Sequence, residues 1–475
     1  MAQGVQPYEA DRISPAVQTF STELTGYLDS LGLPAENVMV EIQQRRVVID
    51  NIPTVLEGLA PQQREAAMYI SKFVAASAVG LFDAALNYLW DETIRNIRDK
   101  AARFDLEYFF DSVATDSDRR SKLKTEADLE KLDDWELIRA CRMTGLITDI
   151  GYKHLDYIRD VRNWASAAHP NQNELTGLQI ASWLETCIRE VLAKEPTGPV
   201  MEVRRFLRSL REEQLGPDDV EPIAVTLPTL PEELSASLVR SVLGMYTDVD
   251  IAADVRNNIK LVASVVWEAC SDEPKYEAGM KLASLEANGE VTRGKLAREF
   301  MELVGGLTYL PQESLALEIT TAADALLMAH NGFNNFYNEP PPARQLQRLI
   351  PASGIVPLSS VGRYVKAVTM CRIGNGHGLS QAALAVYDDL IGRFSDRQVY
   401  AFVTLVNDPE FRSRLQFTSC AENYQALTAT LDRTTVNPSL KAGLSFIEAF
   451  RTDKLYNVAA DVRFKRIMAT LGPRK

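Results

Sequence analysis

Apolar positions along most of this chain recur three and four residues apart, the spacing that puts them on one face of an α-helix. From Pro61 onward they fall at Met68, Phe73, Val74, Val79, Phe82, Leu86, Leu89 and Trp90. This predicts a long helix reaching about Lys100, with Pro61 at or near its first turn. Helical spacing resumes at Leu129, breaks once at Gly151, and runs to Ala168, where His169-Pro170-Asn171 stops it. A further helix is expected over about 175–194, closed by Glu195-Pro196-Thr197-Gly198-Pro199. Residues 16–31 read as helical, and 200–215 as a charged helix carrying Arg204, Arg205, Arg208 and Arg211. Residues 216–231 contain Pro217, Pro222, Pro228 and Pro231 and read as the clearest linker. From 232 to 475 more helices follow, with Pro340-Pro341-Pro342 and Pro351 marking the strongest break and no repeat of fixed period. Two stretches depart from the pattern. Residues 38–49, VMVEIQQRRVVI, have β-branched character that suggests strands. Residues 112–128, SVATDSDRRSKLKTEAD, are polar and charge-dense and read as a mobile excursion. The expected fold is all-α or nearly so. Its parts are an N-terminal segment 1–63, a helical bundle 64–215 with the mobile insertion near 112–128, a Pro-rich linker 216–231, and an α-helical domain 232–475.

Length and composition narrow the class. The chain has 475 residues, room for two to four domains at about 150 residues each. Its hydrophobic fraction of 46% and charged fraction of 24% exclude a largely disordered chain, a collagen and a disulfide scaffold. Lys and Arg number 51 against 64 Asp and Glu, a net charge of −13. That argues against a nonspecific nucleic-acid coat, although a local basic pocket stays open. The five cysteines, Cys141, Cys187, Cys270, Cys371 and Cys420, show neither a CxxC pair nor zinc spacing. They read as reduced, mostly buried thiols of a cytoplasmic protein. No basic stretch followed by an apolar run opens the chain. The most apolar segment, 73–90, is interrupted by Asp83 and Asn87 and is shorter than the roughly 20 residues of a membrane span. No membrane contact, cofactor or metal is expected. P-loop, HExxH and GxSxG motifs are lacking.

The chain has four histidines: His154, His169, His330 and His377. On a helix Arg162 and His169 differ by about 700°, within about 20° of one face. The small residues Ala165 and Ser166 lie between them, and Tyr157, Val161 and Trp164 form a neighbouring apolar stripe expected to face a core. His169 precedes Pro170, so the helix should end there, where the macrodipole favours an imidazolium. Arg162 adds a permanent charge with a fork suited to phosphate. Together they are parts for acting on a phosphodiester, histidine moving the proton and arginine clamping the charge. The plainer reading is an arginine on a solvated face and a histidine capping a helix end.

The stretch Arg162-Asn163-Trp164-Ala165-Ser166-Ala167-Ala168-His169 resembles the HEPN family motif. In that motif arginine, often followed by a polar residue, is separated from histidine by four to six residues near a helix end. The flanking GYKHLDYIRDVRNWASAAHP and GLQIASWLETCIREVL are similar to the last two helices of such domains. The resemblance covers about 64–195, with 70–98 as the long first helix. It implies a metal-independent endoribonuclease whose substrate 2′-hydroxyl attacks the adjacent phosphate. It further implies two motifs paired across a homodimer, and an antiviral, abortive-infection role in which the C-terminal domain answers a protein or phage-derived trigger. Arg162 and His169 would be catalytic. Asn163 either supports the motif or caps a backbone group. Asp83, Asn87 and Asp91 recur every four residues on the first long helix. Asp83 either orients Arg162 or His169 or belongs to a polar stripe. The alternative function is a noncatalytic helical scaffold that dimerises through the bundle and binds a protein.

Other candidates are weaker. Arg372-Ile373-Gly374-Asn375-Gly376-His377-Gly378 has too many glycines for a helix and reads as a turn. His154 reads as a surface residue. His330 reads as a helix end before Asn331-Gly332, followed by a polar-aromatic loop, Asn334-Asn335-Phe336-Tyr337. The arginines of 204–211 read as a solvated face or dimer contact, with guidance of RNA as the alternative.

Overall fold

The computed structural model describes residues 10–113, 117–165 and 174–470. Among them the chain forms 26 α-helices, with short 3-10 turns and one π-helical turn, and no strand. It divides into two compact units, Met1–Pro274 and Lys275–Lys475.

The first unit contains α1 (Ala10–Ser30), α2 (Ile42–Leu56), α3 (Pro61–Ala66), α4 (Met68–Val79), α5 (Phe82–Phe104), α6 (Leu106–Val113), α7 (Ser117–Arg120), α8 (Asp134–Met143), α9 (Asp149–Ala165), α10 (Gly177–Cys187), α11 (Gly198–Glu212), α12 (Pro217–Thr226), α13 (Glu232–Thr247) and α14 (Ala253–Glu268). Its core lies where α2, α4, α5 and α10 pack together. Val48, Phe73, Leu86, Leu89, Ile180 and Leu184 are fully or almost fully buried there, each worth about 1.5–3 kcal/mol of transfer from water.

The expected long helix from Pro61 to about Lys100 is three helices, α3, α4 and α5. The apolar run breaks at Gly80, where φ is 94°, and the Leu81 amide donates back to the Ala76 carbonyl at 2.9 Å. A Cβ at Gly80 would stand 2.4 Å from Arg45 Nε, so the turn seats the buried Arg45 against α4. Residues 38–49 are not strands but a loop entering α2. Val48 and Ile52 bury one face of that helix, and this packing overrides a β preference of only about 1 kcal/mol. The expected break at Gly151 is displaced. Gly151 lies inside α9, and the chain turns at Gly145 instead, where φ is 73°. The described parts of the expected mobile insertion, 112–113 and 117–128, are anchored at particular residues. Leu123 is 2% exposed, and the Asp128 carboxylate accepts the Lys124 and Thr125 amides at 2.8 and 2.7 Å.

The Pro-rich stretch 216–231 is likewise folded. Pro217 opens α12 and Pro228 lies in a 3-10 turn, first-turn positions where a missing N–H costs little. The following helix, α13, has most of its residues buried. It packs on α6, with Ser112 and Ser237 hydroxyls 3.1 Å apart and Ser241 donating to Asp111 at 3.1 Å. The division between compact units therefore falls after Pro274, not at 216–231.

The second unit contains α15 (Asp272–Ala287), which begins at the division, then α16 (Val291–Leu303), α17 (Gln312–Asn331), α18 (Asn335–Asn338), α19 (Pro340–Leu349), α20 (Val361–Ile373), α21 (Leu384–Gly392), α22 (Asp396–Thr404), α23 (Pro409–Arg414), α24 (Thr418–Thr434), α25 (Pro438–Glu448) and α26 (Val462–Thr470). Helix α20 is its axis. Nine of its thirteen residues are buried, with Gly362 and Arg363 on the exposed side, and α17, α21, α22 and α24 pack on it. Pro340-Pro341-Pro342 forms the first turn of α19. The glycine-rich stretch after Arg372 is a turn, with positive φ at Gly374, Gly376 and Gly378. Arg372 itself pairs with Asp388 at 2.6 Å.

Candidate functional site

Helix α9 presents Gly151, Leu155 and Ile158 to the core. Arg162 extends that inward stripe by one more turn, which is why its guanidinium lies against protein rather than in open solvent. Its Nη2 donates to Asp134 Oδ2 at 2.8 Å, and the Trp90 indole N–H donates to the same oxygen at 2.7 Å. The guanidinium carbon lies 5.6 Å from the centre of the Trp90 ring, within cation–π range. Nη1 donates to Asn163 Oδ1 at 2.9 Å. Arg162 Nε is buried with no hydrogen-bond partner among the described residues. The side chain is 25% exposed.

Local sequence explains how the partners are held. Asp134 opens α8 behind the N-cap Asp133, whose carboxylate accepts the Glu136 amide at 2.8 Å while Glu136 accepts the Asp133 amide at 3.1 Å. This capping box places the Asp134 carboxylate at a helix N-terminus, where the macrodipole favours its charge. Trp90 lies in the middle of α5 and is 1% exposed. Asp91, next to it, completes the surroundings. Partial burial raises its carboxyl above the ordinary range, Arg162 opposes that shift, and Asp134 adds to it.

Of the expected residues, Arg162 and Asn163 are therefore in contact. His169 and its neighbours Ser166, Ala167 and Ala168 lie outside the described residues. Asp83 stands exposed in the first turn of α5, its carbonyl accepting the Asn87 amide at 3.0 Å. It is eight residues from Asp91, about 12 Å along a helix. The carboxylates beside Arg162 are Asp134 and Asp91. The stripe Tyr157, Val161 and Trp164 does not face a core. Trp164 is 70% exposed and Tyr157 56% exposed, with Tyr157 meeting the Trp183 ring edge-on at 6.4 Å. Ile150, 65% exposed, continues that outer face at the same seven-residue step.

A separate cleft of about 490 Å³ runs along α5 and includes Arg95, Lys100, Arg103 and Arg204 but not Arg162. Lys100 donates to the carbonyls of Val191 and Lys194 at the π-helical turn Ile188–Leu192. Burial pushes its ammonium down to about 8. Three of the four arginines expected to form a basic face are paired with acids: Arg205 with Glu202, Arg208 with Glu212, and Arg211 with Asp105. Asp91 belongs to the four-residue stripe that the sequence shows, where Asp83 was favoured over it, whereas Trp90 was read only as an apolar position and Asp134 escaped the sequence reading. The one local signal was Asp133-Asp134-Trp135-Glu136, which announces a helix start without saying what it faces. Comparison with family models, with curated proteins and with solved structures returns no match to this chain.

Proposed function

We propose that the first unit is a metal-independent endoribonuclease of HEPN type. The observation that supports this reading is Arg162, held at the last described turn of α9 by Trp90, Asp134 and Asn163 with its side chain 25% exposed. A guanidinium so fixed loses little freedom on meeting a phosphodiester. In the proposed reaction the His169 imidazole takes the proton of an RNA 2′-hydroxyl, whose oxygen attacks the adjacent phosphorus. The bond to the 5′-oxygen breaks, and that oxygen leaves with a proton returned by an imidazolium. The products are a 2′,3′-cyclic phosphate and a 5′-hydroxyl, so water and metal enter no step. Arg162 holds the non-bridging oxygens as charge gathers on them. Two copies paired through the bundle would bring two motifs to one strand, and the second unit would answer the trigger of an antiviral, growth-arresting response.

The test is expression of the full chain and of Arg162→Ala and His169→Ala, scored by growth and by RNA integrity. Wild type should degrade RNA to cyclic-phosphate ends, and each variant should lose about a hundredfold or more of that rate. Equal behaviour of all three would remove the reading. One observation favours a noncatalytic scaffold instead: Asp134 already neutralises Arg162, as a tertiary staple would. Under that reading Arg162→Ala lowers stability, and no RNA is cleaved by any form.

A further inference from the structure

In the second unit His330, Glu339 and Cys371 converge in the core with no exposure to speak of: 2%, 0% and 0%. Three helices bring them together. His330 closes α17, Glu339 precedes the first turn of α19, and Cys371 lies on the central α20. One donor atom from each lies within 4.8 Å of the others.

The electrostatics of this cluster lack a counter-charge. Glu339 accepts from His330 Nδ1 at 2.9 Å, from Asn335 at 2.9 Å and from the Tyr387 hydroxyl at 2.7 Å. Among the described residues no lysine or arginine pairs with it. Arg414, whose field reaches Cys371, donates instead to Asn331 at 3.0 Å. His330 Nε2 is buried with no hydrogen-bond partner among the described residues. A buried carboxylate without a cation is costly.

We infer that His330, Glu339 and Cys371 form a structural site for a divalent transition-metal ion of the zinc class. Nitrogen, oxygen and thiolate donors are the mixed set that such ions take. A dication bound by one carboxylate and one thiolate is electrically neutral, which resolves the charge problem of the dry core. Binding releases the Cys371 thiol proton: a dication and a thiol give a metal thiolate and a proton. Bond lengths of about 2.0–2.3 Å are reached by shifts of about an ångström or less from the present positions. Asn335 and Tyr387 hold the carboxylate oxygens, the outer hydrogen bonds that orient a ligand. The site is closed on all sides, so it is built to staple α17, α19 and α20 rather than to turn over substrate. The cysteine spacing hid it because its three ligands come from distant turns with no CxxC or HxxxH step.

The experiment is metal analysis of the full chain produced with zinc supplied, together with unfolding and refolding in cobalt(II). One equivalent of zinc and a thiolate-to-cobalt absorption band are expected in the wild type. Cys371→Ser and His330→Gln should lower metal content about tenfold or more, whereas Cys420→Ser, a buried thiol of the same unit outside the cluster, should keep it. Wild type with less than about a tenth of an equivalent and no cobalt band would overturn the site, whether or not the variants fold. So would a Cys371→Ser protein retaining the full metal content.

Discussion

At the scale of the residue, Arg162 shows what one chain position reveals and what it conceals. Its place on a helix was legible, because a 3.6-residue repeat is a local signal, while the expected helix end at His169 lies outside the described residues. Its partners were not, because Trp90 and Asp134 reach it from other helices and the pairing exists only once α5, α8 and α9 are packed. The pair is about a quarter exposed on both sides, so its contribution is that of a screened, hydrogen-bonded ion pair. Asp134→Asn should cost about 1–2 kcal/mol, read as a lower urea midpoint. A double-mutant cycle with Arg162→Ala should return a coupling of about 0.5–1 kcal/mol. Zero coupling would mean that the pair does not tie α9 to α8. Lys100 gives a second test. Its ordinary value of 10.5 falls to about 8 through burial. Between those values the unfolded chain holds a proton that the folded chain has released, so this residue's contribution to stability improves as pH rises from about 8 to 10.5. Amine labelling followed against pH should find Lys100 half-reactive near 8, well ahead of exposed lysines, and a midpoint above 10 would contradict its burial.

At the scale of the element, helices were easier to read than the places where they stop. Periodicity carried the all-α assignment because burying one face requires the same spacing in every helix. The breaks depended on tertiary demands that no window contains. Gly80 and Gly151 look alike in sequence, each a lone glycine in an apolar helical run. Gly80 takes a left-handed conformation because Arg45 occupies the space a side chain would need, whereas Gly151 stays helical with the Glu190 carboxylate against it. Proline misled in the other direction, since Pro217 starts a helix where a linker was expected. The prediction at this scale is that Gly80→Ala destabilises by about 1–3 kcal/mol, through the strained φ and the displaced Arg45 together. Gly26→Ala, in α1 with nothing within 4 Å of the added carbon, should not destabilise. Chemical denaturation of the two variants checks the contrast, and equal losses would refute the role given to the Gly80 turn.

At the scale of the whole molecule, the position of the division decides which pieces can live alone. A cut in the Pro-rich stretch would strip α13 and α14 from the first unit. It would expose the α6 face that α13 covers and break the Ser237 and Ser241 hydrogen bonds to Ser112 and Asp111. Asp111 would feel this most, because burial already raises its carboxyl and Arg120 and Ser241 are what hold its charge. A fragment ending at 215 should therefore aggregate or unfold without a cooperative transition, as a bundle with an uncovered apolar face does. A fragment ending at 270 keeps α13 and α14 and stops before α15 begins, so it should unfold cooperatively with a sharp thermal midpoint. The two fragments differ by helices that carry none of the residues proposed for chemistry. If the shorter one folds and keeps RNA cleavage, α13 is dispensable to the first unit and the sequence-based boundary was the better one. If only the longer one folds, the three helices α12, α13 and α14 include part of the scaffold that holds α5, α8 and α9 around Arg162.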